Sequence, residues 1–232
     1  MLVIGKVGRT LTAAVCAAAL AAGCSDSDDT PDPPDGGVVT VTTMRGALLQ
    51  AADIGPTWKP PAASADPQQL VPFCGGAATA PPVPPGAEVI SVPLVDEGNE
   101  GAQTLTQTAL VYPDRAAAQA GLASLRALAD GCPATASVPA AVSDVRSEPA
   151  YTETARTTEL SEGGWTGFVI TRHKAYEPKH PGIADTAVAV LSRGNVVLVD
   201  AYAVYRIGNA STGPQFDTDW KKLVGTVLNR VG

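Results

Sequence analysis

Apolar residues recur at every third or fourth position in three stretches of the chain and alternate with polar ones in several others. Over residues 216–231, Phe216, Trp220, Leu223, Val224, Val227, Leu228 and Val231 keep the period of one helix face. Residues 114–130 repeat the pattern with Leu122, Leu125, Leu128 and Ala129; Pro113-Asp114 opens this helix and Gly131 closes it. A third helix is predicted over 43–54, with Met44, Leu48, Leu49 and Ala52 on one face, Thr42 or Thr43 as cap and Gly55-Pro56 as stop.

The strand period of two appears most cleanly at 103–112, where Leu105, Gln107, Ala109 and Val111 face opposite to Thr104, Thr106, Thr108, Leu110 and Tyr112. Residues 88–95 form its partner, and Pro93 assigns that strand to a sheet edge or a bulge. Residues 186–192 and 196–205 are joined by Arg193-Gly194-Asn195 as a hairpin, and their unbroken Val, Ala and Leu content predicts central strands covered on both faces. Residues 165–172 form another strand, 143–147 and 151–158 give weaker ones, and 173–184 read as a polar loop punctuated by Pro178, Pro181 and Gly182. Residues 61–86, rich in Ala and Pro, form an irregular excursion. The order strand, turn, strand, helix occurs twice, over 88–130 and 185–231. The expected fold is α+β: an antiparallel sheet of five to seven strands with helices packed mainly on one face, leaving the other face or a groove beside it open.

The N-terminus carries a different signal. Lys6 and Arg9 precede the uncharged, largely apolar stretch 11–22, the layout of a secretory signal peptide. Ala21-Ala22-Gly23-Cys24 follows and resembles a bacterial lipobox, with Ala21 where Leu is usual. The expected organisation is a signal peptide over 1–23, then a lipidated Cys24 and an acidic tether (SDSDDTPDPPDGG) over 24–37, then one extracytoplasmic domain over 38–232. The predicted location is the outer side of the cell membrane, reached through the lipid.

Composition narrows the partners. With 16 Lys and Arg against 23 Asp and Glu, the formal charge is −7, which repels phosphate and excludes nucleic acid. A hydrophobic content of 45% suffices for a packed core. Of the four cysteines, Cys16 lies in the apolar leader and Cys24 takes the lipid. Cys74 and Cys132 remain as a pair in an oxidising compartment, where a disulfide is the default. Neither CxxC nor a His–Cys cluster supports the alternative of a metal or redox site.

Leu48 to Trp58 (LLQAADIGPTW), Cys74, the strand end Leu110-Val111-Tyr112, the Ala-rich helix after it, Cys132 and Gly164-Trp165 together resemble exported actinobacterial lipoproteins that carry a PknH-like sensor domain. The resemblance spans roughly residues 43–231 and implies a mixed antiparallel sheet, a cleft and an extracytoplasmic ligand-binding role. Kinase-linked members have two disulfides, whereas this chain has cysteines for one.

Candidate chemistry is sparse. His173 and His180, with Arg172, Lys174 and Lys179, form the basic cluster of an acidic domain and suggest an anion-docking loop. Asp200, set within the apolar run VVLVDAYAV, must face solvent or a cleft, or pair with a cation such as Arg172 or Arg206. Trp58, Trp165 and Trp220 read as packing residues. No nucleophile motif, metal motif or phosphate loop occurs, so no cofactor and no metal are expected. The sequence therefore points to a non-catalytic, lipid-anchored module that binds a small ligand or an envelope protein through Arg172, His173, His180 and Asp200. The alternatives are a carrier of hydrophobic cargo and a hydrolase built on a pair of carboxylates.

Overall fold

The computed structural model describes residues 38–231, apart from 63–65, 67–68, 76–79, 99–100, 143–146, 180–181 and 209–212. The lipidation residue Cys24, the signal peptide, the tether and His180 lie outside the described residues.

The elements follow in the order α1 (Val41–Ala47), α2 (Ala51–Ile54), β1 (Glu88–Gly98), β2 (Gly101–Val111), α3 (Arg115–Asp130), β3 (Thr135–Val138), β4 (Ala141–Val142), β5 (Ser147–Glu148), β6 (Tyr151–Glu162), β7 (Trp165–Tyr176), β8 (Gly182–Arg193), β9 (Val196–Ile207) and α4 (Gly213–Val231). Seven strands form one antiparallel sheet in the order β1-β2-β9-β8-β7-β6-β3, and β4 and β5 pair separately. The α+β architecture and the antiparallel sheet agree with the sequence pattern. Pro93 lies in β1, an edge strand, where its missing N–H costs no ladder bond. β8 and β9 are interior strands, in keeping with their continuous apolar content.

Alternation sorts the core into two layers. Leu105, Ala109, Val169, Leu191, Leu198 and Tyr202 share one face, and α1 and α4 cover it with Met44, Leu48, Phe216, Trp220, Val224 and Val227. Leu110, Phe168, Ile170, Val188, Val190 and Val199 share the other, under Leu125 and Ala129 of α3 together with Leu70 and Phe73 of the irregular stretch. The helices of the two repeated blocks, α3 and α4, therefore lie on opposite faces. The expectation of an open face over the interior strands does not hold, because strands apolar on both sides need cover on both.

Two other departures matter for function. The single helix expected over 43–54 is broken into α1 and α2, and α1 starts earlier, capped by Thr40. Leu48 and Leu49 turn into the core at the break, and Gln50 with Asp53 forms a capping box that restarts the helix. The loop expected over 173–184 is mostly strand: β7 continues to Tyr176 and β8 begins at Gly182. Polar residues there mark strands that run on past the core, and alternation sends neighbouring side chains to opposite faces.

Candidate functional site

That alternation separates the residues singled out above. On β7, Arg172 projects to the α3 side of the sheet and His173 to the α4 side. The Arg172 side chain is 11% exposed; its guanidinium donates to the Cys74 carbonyl at 3.0 Å and stands 3.7 Å from a carboxylate oxygen of Glu153. Burial pulls its pKa down, against the field of Glu153. Cys74 and Cys132 are joined by a disulfide, so the bridge ties the C-terminal end of α3 to the segment that covers Arg172. His173, half exposed, shares a 2.7 Å hydrogen bond with Asp185 across the β7–β8 pair. Arg172 and His173 therefore turn their side chains to opposite faces of the sheet, although both border one recess of about 440 Å³ with Thr171, Asp185 and Phe216.

Asp200 is buried at 1% exposure and pairs with neither Arg172 nor Arg206. Its partner is Gln107, directly opposite on β2, whose amide nitrogen donates to Oδ2 at 2.8 Å. The Gln107 carbonyl oxygen accepts the Leu49 backbone N–H at 2.8 Å. A glutamine satisfies both demands because its amide carries a donor and an acceptor on one planar head. No hydrogen-bond partner reaches Oδ1 among the described residues. Desolvation raises the Asp200 pKa to about 7, with the Gln107 hydrogen bond opposing it.

On this same face lies a pocket of about 230 Å³ between α2, α4 and the sheet. Leu49, Ile54, Trp58 and Leu223 form its apolar walls, and Gln103 and Tyr202 its polar floor. The Tyr202 hydroxyl donates to the Gln103 side-chain carbonyl at 2.6 Å. Burial raises the phenol pKa further, so the group stays neutral and keeps its proton. Asp53, Asp219 and Lys222 stand at the rim. Asp53 is held by Arg230 at 2.9 and 3.2 Å, and Asp219 accepts from Gln215 at 2.6 Å. A second pocket of about 300 Å³, with Asp96, Tyr205 and Arg206, adjoins the first at Gln103.

The sequence pattern does not single out Gln103, Gln107 and Tyr202 as site residues. One signal was present: Gln103 and Gln107 fall on the inward parity of β2, where apolar residues were otherwise expected, and a polar residue on a core-facing position needs a partner. Trp58, a packing residue by its sequence context, is partly exposed and also forms a pocket wall. Among the described residues, no cluster of three or more His, Cys, Asp or Glu could hold a metal ion.

The fold is similar to that of the extracellular domain of PknH from Mycobacterium tuberculosis, with a TM-score of 0.51 over 83% of this chain and 96% of that one. Sequence identity is 16%, so the likeness is one of fold. No protein-family model and no curated protein matches the sequence.

Proposed function

We propose that this chain is an extracytoplasmic, non-catalytic binding domain, held at the cell membrane by a lipid on Cys24, that takes a small ligand in the pocket above Tyr202 and Gln103. The Tyr202–Gln103 pair carries the reading. It places convergent polar groups at the floor of an apolar-walled recess, the composition of a small-molecule site. The volume of about 230 Å³ falls below the roughly 300–1,000 Å³ of pockets for drug-sized ligands, so the ligand class is a small molecule with one flat apolar body and a hydrogen-bonding head. The body would lie along Trp58, and the head would reach the Gln103 amide and the Tyr202 oxygen. At the rim, Asp53 and Asp219 are already engaged by Arg230 and Gln215, which favours holding a ligand over proton transfer to it. The likeness to an extracellular domain supports the placement outside the cytoplasm.

Purification from the native envelope followed by mass spectrometry of co-purified molecules supplies the ligand, and Trp58 fluorescence reports its binding. Tyr202→Phe, which keeps the ring and removes the hydroxyl, is expected to weaken binding about tenfold, the worth of one hydrogen bond. Equal affinity in wild type and variant would refute the pocket assignment. Cys24→Ser is expected to abolish fatty-acid labelling and move the protein from the membrane to the soluble fraction; unchanged membrane association would remove the anchor.

A further inference from the structure

Asp200 lies beneath the pocket but does not line it. It is the inner end of a relay: the Asp200 carboxyl to the Gln107 amide, and the Gln107 carbonyl to the Leu49 N–H. All three residues are at most 2% exposed. Leu49 sits in the break between α1 and α2 and is itself a wall of the pocket.

We propose that Asp200 is a positioning residue: through Gln107 it holds the α1–α2 turn in place, and the gain or loss of its proton sets how firmly that turn closes the pocket. The link to ligand capture rests on the pocket reading above; the coupling of Asp200 to the turn does not.

The Asp200 carboxyl has apolar neighbours. On the same face stand Ala189 of β8, Leu198 and Tyr202 of β9, and Leu105 and Ala109 of β2, under apolar residues of α1 and α4. Of the titratable and charged groups of those elements, Arg206 of β9 shares the Asp200 face further along the strand, where it borders the second pocket with its Nε buried and unpartnered among the described residues; the others are engaged or lie outside the core. Tyr202 donates to Gln103, Asp185 holds His173, Asp53 holds Arg230, Arg45 of α1 is exposed, and Asp219 and Lys222 of α4 stand at the pocket rim. A neutral carboxyl fits such surroundings. An ionised one has a single amide donor for its charge and one oxygen without a partner, so it draws in water or displaces its cover.

The weak part of that cover is the turn. α2 has four residues, none of them buried, too few to stand as an isolated helix. It is held by its own capping box, by the Asp53–Arg230 pair and by the bond from the preceding Leu49 N–H to Gln107. Ionising Asp200 therefore loosens the turn before it disturbs the sheet. The midpoint is expected near the carboxyl's shifted pKa of about 7. One coupled proton allows affinity to fall by up to tenfold per pH unit above that midpoint.

The test uses the full chain without ligand. The Leu49 backbone amide and the Asp200 carboxyl carbon are followed by NMR from pH 5 to 9. Both are expected to titrate together near neutrality, and Asp200→Asn, which keeps the acceptor oxygen and loses the proton, is expected to leave Leu49 flat. A Leu49 signal that does not move in wild type overturns the proposal, as does a titration that survives in the variant. The wild-type comparison stands even if the variant misfolds. A titrating Leu49 in a protein that captures no small molecule at any pH supports the coupling and refutes the ligand reading, so the two failures are distinct.

Discussion

The phenol of Tyr112 occupies the space that a side chain on Gly121 would need: a methyl built on Gly121 would collide with the tyrosine ring and hydroxyl. Tyr112 directly follows β2 and Gly121 lies in the middle of α3, so this contact sets how closely α3 sits on the sheet. Gly121→Ala is expected to destabilise the fold by about 1–3 kcal/mol through overpacking, although alanine is the better helix former. The Tyr112 hydroxyl is buried and has no hydrogen-bond partner among the described residues. Tyr112→Phe should therefore be neutral or stabilising and should recover part of the Gly121→Ala loss in the double variant. Urea midpoints of the four proteins measure both effects.

The Cys74–Cys132 disulfide closes a loop with a separation of 58 residues. Loop-closure entropy puts its worth at about 4 kcal/mol. The Cys74→Ser, Cys132→Ser double variant is expected to lose up to that amount. It should also expose Arg172, since the Cys74 carbonyl that caps the guanidinium would no longer be pinned. In the exported protein neither sulfur should react with a thiol probe under non-reducing conditions. Labelling of either would show that the bridge does not form in the cell.

Stability should depend on pH with a definite sign. Asp200 has a folded pKa of about 7 against a reference of 3.8, so between those values the folded chain keeps a proton that the unfolded chain has released. Stability falls as pH rises through that window, on the order of 1 kcal/mol per unit at most, and levels above it. Asp53 acts in the opposite sense: Arg230 lowers its pKa, so its smaller contribution is lost as pH falls below the usual carboxylate range. The optimum should be mildly acidic, and Asp200→Asn should flatten the neutral limb of a thermal-melt profile. A profile that rises from pH 5 to 8 would contradict this.

Asn195 ends the β8–β9 turn and makes three backbone contacts: it accepts from Val39 N–H at 2.9 Å and donates to the carbonyls of Val39 at 3.0 Å and Tyr112 at 2.9 Å. It is 4% exposed. Asn195→Ala leaves those backbone groups unpaired and is expected to cost about 2–4 kcal/mol. Limited proteolysis near residue 39 should accelerate before global unfolding does, because the tie that holds the chain start to the sheet is gone.

Much of the fold is legible in the chain because local rules and tertiary demands agree. The period-two run at 103–112 assigns Leu105 and Leu110 to opposite faces, and the two core layers place them so. The helix over 114–130 reads correctly because Asp114 and Gly131 bound it and a repeating apolar stripe runs between them. The α1–α2 break reads wrongly, because the one local signal, the Gln50–Asp53 capping box, is weak beside a continuous helical stripe. Gln107, far along the chain, takes the Leu49 N–H and stabilises the interruption.

Sequence by itself therefore determined the alternation of each strand, the amphipathic faces of the long helices and the pairing of two cysteines, since each follows from neighbours in the chain or from parity. Only tertiary structure decided that α3 and α4 take opposite faces, that Arg172 and His173 point apart, and that Asp200 meets an amide and not a guanidinium. Those outcomes depend on which strands become adjacent and in what register. The free energy of burying a polar group on a core-facing position is settled by whichever partner that register places opposite it.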